Sequence, residues 1–165
     1  MFFGMVPCCC EDDPVDDCDD ICEEGTPPWL TISVSGWGGT CNQGFDNCCS
    51  LANSSFNVFL TNDIGGQCSD TAFFCAGFSR VDVRLYHDTG SSEWVLEADI
   101  TAANQFAACS ARAVYEKRWS DSSKLDCSAL SSETLSYVSG SLVTSGTGPC
   151  TGGDSLTVTA TAFGP

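Results

Sequence analysis

Thirteen cysteines in 165 residues, five of them within the first 22, constrain this chain more than any other feature. So many thiols must be oxidised, metal-bound or modified. Zinc sites want close Cys pairs, usually Cys-x2-Cys repeated or joined with histidine. Here Cys8, Cys9 and Cys10 are adjacent, as are Cys48 and Cys49, wide gaps run through Cys41, Cys68, Cys75, Cys109, Cys127 and Cys150, and the sole histidine is His87. Disulfides in an oxidising compartment are the stronger reading, and they extend to Cys18 and Cys22. A bridge closing a loop of about 15 residues contributes about 3 kcal/mol in the chain-entropy argument. The odd count leaves at least one thiol free, modified or paired between chains, and the last option points to covalent assembly. Palmitoylation of the Cys8 to Cys10 triplet would need a cytosolic, membrane-facing context.

The length suits one domain with one core. A net charge of -16 with six basic residues excludes nucleic acid as a partner, because phosphate binding needs Lys and Arg to neutralise the backbone. No apolar run reaches the 18 or so residues of a membrane helix, so no membrane span is expected. Met1 to Pro7 is apolar but lacks the basic start and long apolar stretch of a secretory signal; the expectation is that a signal has been removed or that release follows another route.

Residues 1–28 differ from the rest. After Phe2, Phe3, Met5 and Val6 comes an acidic run from Glu11 to Glu24, interrupted by Cys18 and Cys22. Charge repulsion there disfavours a packed core, so the segment reads as an arm pinned by its cysteines and ended at the turn residues Gly25 to Pro28. From residue 29 the pattern is one of short strands: Trp29 to Val34, Ser55 to Leu60, Ser110 to Trp119 with a helix as its rival, a weak strand from Leu135 to Val143, and a closing strand from Ser155 to Ala162. Ala-rich composition suggests a short helix over Ala102 to Ala108. The clearest hairpin joins Arg80 to Tyr86 with Trp94 to Thr101 through the turn at Asp88 to Ser92. Two registers keep its apolar residues on one face; one of them sets Arg84 opposite Glu97 but also Asp82 opposite Asp99. The fold class expected is all-β, a single β-sandwich or jelly-roll-like barrel over 29–165 behind the N-terminal arm.

The segment Thr31, Ile32, Ser33, Val34, Ser35 and Gly36 after a Pro-rich lead-in, the Cys-bearing loops, and Cys150 ahead of Leu156 to Ala160 together resemble a group of uncharacterised Cys-rich β-domain proteins of bacteriophages and environmental bacteria. That resemblance implies a fold and no enzymatic function.

Candidate chemistry is thin. His87 beside Asp88 has no Gly-x-Ser-x-Gly elbow to serve, and it reads as a solvent-exposed turn histidine. Glu93, Glu97, Asp82 and Asp99 are residue types able to form a glycosidase pair, but in so acidic a chain such pairs arise by chance. The acidic arm suits calcium in charge yet lacks the spaced Asp loop with its trailing Glu, so no cofactor is assigned and calcium stays the one metal weighed. Asn53, Ser54 and Ser55 form an N-glycosylation sequon.

The sharper expectation concerns Phe2, Phe3, Met5 and Val6, which have no evident place in their own core. An extended apolar segment can complete a neighbour's sheet by strand addition. Head-to-tail addition then produces an open filament, by analogy with pilus-like donor-strand fibres. Arg112, Lys117 and Arg118 fall on one predicted strand and would receive an acidic arm, unless they pair internally with Glu116 or Asp121. The function expected is thus a self-assembling structural subunit of an extracellular filament, pilus-like fibre or virion appendage. The alternative is a secreted glycan-binding module stacking sugars on exposed Trp37, Trp94 or Trp119, and a small hydrolase is disfavoured.

Overall fold

The computed structural model describes residues 18, 22, 29–36, 54–63, 67–74, 79–103, 109–120, 125, 127, 132–146 and 156–162. Phe2, Phe3, Met5, Val6, Cys8, Cys9, Cys10, Trp37, Cys41, Cys48, Cys49, Asn53, Cys75 and Cys150 lie outside them, as does the side chain of Cys109. The strands are β1 (Trp29–Ser35), β2 (Ser54–Phe59), β3 (Asn62–Asp63), β4 (Gln67–Phe74), β5 (Ser79–Asp88), β6 (Glu93–Ala103), β7 (Cys109–Ser120), β8 (Glu133–Tyr137), β9 (Val143–Gly146) and β10 (Thr157–Ala162). They join one antiparallel sheet in the order β2-β1-β10-β8-β7-β6-β5-β4-β3, with β9 on β7, and the sheet curls into a nearly closed barrel. No helix among the described residues is long and apolar enough to cross a membrane.

Period-two alternation explains most of these strands. Leu30, Ile32 and Val34 of β1, Val81, Val83 and Leu85 of β5, and Val158 and Ala160 of β10 are buried in one core cluster, while their sequence neighbours face outward. In β7, Ala111, Ala113 and Tyr115 point inward, so the strand prevails over its helical rival. Ala102 and Ala103 end β6 rather than open a helix, because the Ser79 hydroxyl accepts the Ala103 amide at 2.9 Å and donates to its carbonyl at 3.2 Å. The remainder of the expected helix lies outside the described residues.

The β5–β6 hairpin takes the register that sets Arg84 opposite Glu97 and Asp82 opposite Asp99. Its turn is fixed by Asp88, whose carboxylate accepts the Gly90 amide at 3.0 Å, and by Ser92 at φ 55°. The juxtaposed aspartates are tolerated because each has its own partner. Asp82 meets Arg80 at 2.7 Å and the Thr71 hydroxyl at 2.7 Å, and Asp99 meets Arg112.

Closure occurs where the chain changes partners along its length. β8 pairs through Glu133, Thr134 and Leu135 with β10, then through Ser136 and Tyr137 with β7. The β2–β3 run pairs first with β1 and then with β4, bending at Leu60 and Thr61, where the Thr61 amide donates to the Phe59 carbonyl at 2.7 Å. Strands that switch sheets in this way form the corners of orthogonally packed β structures. At the second corner the seam is bridged by the Phe59 amide donating to Asp70 at 2.8 Å.

The weak strand expected from Leu135 to Val143 is two strands. Between Glu116↔Ser136 and Arg112↔Val143, four steps along β7 answer seven on the opposing chain, so three residues bulge outward. Gly140 at φ 81° makes the bend, and Ser141 stitches it to Val114. β4 had no counterpart in the sequence reading, since its inward positions Cys68, Asp70 and Ala72 hide the apolar alternation.

Two disulfides fasten the N-terminal segment to this barrel, Cys18 to Cys68 across 50 residues and Cys22 to Cys127 across 105. Cys18 and Leu125 belong to the core cluster, and Cys22 makes a parallel bridge to Leu125. Cys68 lies beside Leu85, one inward row from the His87, Trp94 and Trp119 row that ends the β5–β7 layer. Cys18 and Cys22 themselves are therefore part of the packed structure. Removing the longer bridge by Cys22→Ser with Cys127→Ser is expected to lower unfolding free energy by about 4 kcal/mol in non-reducing urea titrations.

Candidate functional site

The residues weighed for chemistry converge on the outer face of β5, β6 and β7. Register stacks them in cross-strand rows: Arg80, Thr101 and Arg112; Asp82, Asp99 and Val114; Arg84, Glu97 and Glu116; Tyr86, Val95 and Arg118; Asp88, Glu93 and Ser120. Directly opposed side chains on one face lie within about 5 Å at Cβ, so charge order along these rows decides whether the face holds.

Asp99 faces outward yet is 3% exposed. Its carboxylate is gripped by the Arg112 guanidinium, with Nε at 2.8 and 2.9 Å from the two oxygens and a further bond from the terminal nitrogen. These bonds hold Arg112 above its ordinary range, hydrogen bonding to Asp99 being the main cause. Arg118 is a second hub, reaching Glu116 at 2.9 Å, Asp88 at 3.0 Å and Glu93 at 3.2 Å. Its bond to Asp88, helped by Ser91 and the Gly90 amide, lowers that carboxyl. Between Tyr86 and Arg118 sits Val95, on the outward face yet, like Asp99, buried. Burial in turn pushes the Tyr86 phenol up, with Glu97 adding to the effect.

Glu97 is the least balanced member. Arg84 lies 3.7 Å away while Glu116 is directly opposite and Asp99 next on the same face. Burial raises its carboxyl, Arg84 opposes the rise, and Asp99 and Glu116 reinforce it. A raised carboxyl contributes stability that is fully present below the ordinary carboxylate range and is lost as pH climbs through the higher folded value.

Arg112, Lys117 and Arg118 do not form a common basic patch. Arg112 and Arg118 share the outer face, Lys117 projects from the other face to Glu133 at 3.2 Å, and each is paired within the chain. Arg80 and Arg84 complete the basic residues among those described, and both also meet carboxylates. The internal pairing with Glu116 is thus realised for Arg118.

His87 is not a solvent-exposed turn residue. It occupies the last inward position of β5, half-buried against Trp94 at 5.2 Å between ring centroids. Trp94 itself is 6% exposed and belongs to the core, and Trp119 packs partly buried against the same cluster. Neither offers the open ring expected of a sugar-stacking platform. Glu93, Glu97, Asp82 and Asp99 share the ladder, but they lie in ion pairs with arginines. Among the described residues no group of three or more His, Cys, Asp and Glu is arranged to hold a metal ion.

Two structurally decisive polar residues escaped the sequence reading. Asp70 closes the barrel seam, and Tyr115, 1% exposed, accepts the Leu156 amide at 3.0 Å where β10 begins. Alternation marks Tyr115 as inward but says nothing of the strand start it holds.

No protein-family model, curated protein or solved structure matches the chain.

Arg112→Met leaves the buried Asp99 carboxylate unpaired and is expected to cost about 2 kcal/mol, below the 3–5 kcal/mol of a wholly buried pair because the guanidinium is partly in water. Adding Asp99→Leu recovers most of that loss in the same urea titration. Glu97→Gln removes the like-charge opposition to Glu116 and is expected to stabilise by about 0.5 kcal/mol at neutral pH. The gain shrinks in thermal melts below the ordinary carboxylate range, where the native Glu97 is already neutral.

Proposed function

We propose that this chain is a structural subunit of an extracellular assembly, a filament, pilus-like fibre or virion appendage, in which the N-terminal segment of one copy adds as a strand to the next. In this reading the barrel is a sandwich-like body and the first residues are its connector. The observation that carries it is the rooting of the N-terminal segment by two disulfides at buried positions, Cys18 bonded to Cys68 of β4 and Cys22, beside Leu125, bonded to Cys127. A connector in a load-bearing polymer needs a covalent root, and here pulling on residues 1–17 loads the barrel through Cys68. The bridges also fit an oxidising environment. The internally paired arginines fit a body that presents little unsatisfied positive charge.

Between Val6 and Cys18 the sequence steps through 12 positions, about 40 Å of extended chain. A domain of this size has a radius of gyration of about 15 Å, so Phe2, Phe3, Met5 and Val6 can reach an adjoining copy. Burying such side chains contributes about 1.5–3 kcal/mol each, enough to hold a strand whose backbone is also paired.

Size-exclusion chromatography with light scattering and negative-stain microscopy test the reading. The full chain is expected to form ordered polymers under non-reducing conditions, and a variant lacking residues 1–10 is expected to run as a monomer with an unchanged melting temperature. A full chain that stays monomeric over the concentrations at which polymers are sought rejects it.

A further inference from the structure

We infer that the outer edge of β9, Val143–Gly146, is the acceptor for the Phe2–Val6 strand of a second copy; the inference rests on the assembly reading above and names its receiving site. β9 is hydrogen-bonded to β7 alone, with Cys109↔Gly146, Ser110↔Ser145, Ala111↔Thr144 and Arg112↔Val143 in register. Its other edge has no partner strand among the described residues. Such an edge presents a row of free amides and carbonyls, which proteins ordinarily guard with lysine, proline or a covering segment. Val143, Thr144, Ser145 and Gly146 supply no such guard.

Exposure adds a second, independent mark. Every other strand with described side chains buries at least one residue, but Val143, Thr144 and Ser145 are all exposed, Val143 at 60%. Thr144 is in register with Ala111, which is wholly buried on the inward side, and yet remains open to water. In the rows that pair with β9 the inner layer therefore stops at β7, and β9 extends past it like a shelf. A strand laid along β9 would have its inward side chains beside Thr144 and its outward ones beside Val143.

Charge permits the occupant. In a chain of net charge -16, neither Met1 to Pro7 nor β9 carries an ionisable side chain, so the two meet without like-charge repulsion. An extended Phe2–Val6 places Phe3 and Met5 on one side and Phe2 and Val6 on the other, so both faces of the shelf receive apolar cover. Pairing is antiparallel everywhere else in the barrel's strand ladders. The same sense is expected here.

The test uses the full chain. Charged guards on the edge, Val143→Lys with Thr144→Lys, are expected to cut the polymer fraction at least tenfold while the monomer's melting temperature stays unchanged, because both positions are exposed. In parallel, a photo-crosslinking benzoylphenylalanine in place of Phe3 is expected to join residues 142–146 of a different chain, assigned by mass spectrometry of mixed heavy- and light-isotope protein. Crosslinks within one chain, or to another strand, overturn the acceptor assignment, as do undiminished polymers of the lysine variant. Polymers that vanish on deleting residues 1–10 but persist in the lysine variant leave the assembly reading standing and remove β9 from it. A full chain that never polymerises removes both.

Discussion

The barrel depends on chain segments that serve two neighbours in succession. β8 leaves β10 for β7 within five residues, and the β2–β3 run leaves β1 for β4 across a bend of two. Without those transfers the sheet would have two long open sides and a core exposed along both. Each corner is held by few bonds. Asp70 bridges one, and Tyr115, whose ring centroid lies 5.7 Å from that of Tyr137 and whose hydroxyl accepts the Leu156 amide, steadies the other. Left without its acceptor, the buried Leu156 amide costs about 1–3 kcal/mol, so that single bond weighs as much as several surface ion pairs.

How much of this was legible in the sequence varies with what each residue does. Strands whose inward positions are Val, Ile or Leu, such as β1, β5 and β10, announce themselves by alternation, and the hairpin turn at Asp88 to Ser92 follows from its residue types. β4 does not, since a disulfide cysteine, an acid and an alanine occupy its inward face. The break between β8 and β9 was masked because Tyr137, Val138, Leu142 and Val143 read as one apolar run, and only the register against β7 reveals the bulge. The cysteine pattern pointed to staples, but the partners of Cys18 and Cys22 required the fold. Chemistry was hardest to read. Carboxylates and arginines that look alike in sequence differ by whether a cation stands opposite, which depends on a register left open between two choices.

The outer face of β5–β7 shows how an acidic chain can still order its charges. Its arginines are interspersed with carboxylates so that each of these acids has a cation within reach, although Glu97 also stands directly opposite Glu116. Exposed pairs of this kind add little stability one at a time. Their larger effect is on register, since a one-residue slip of the hairpin would take the cross-strand charge pairs apart as well as moving the apolar residues to water.

The pairing of β1 with β10 has a bearing on how the chain is made. Leu30 waits for Ala162, so during vectorial synthesis the first strand of the barrel stays unsatisfied on that side until residue 162 has emerged. The meander from β4 to β7 can form meanwhile from neighbours in sequence, and such local pairing is fast, whereas closure across the full length is slow. The Cys18 to Cys68 bridge becomes available as soon as β4 appears, long before the partner of Cys22 does. Formed at that stage in an oxidising environment, it would keep β1 near the growing sheet while the β1 edge still lacks β10.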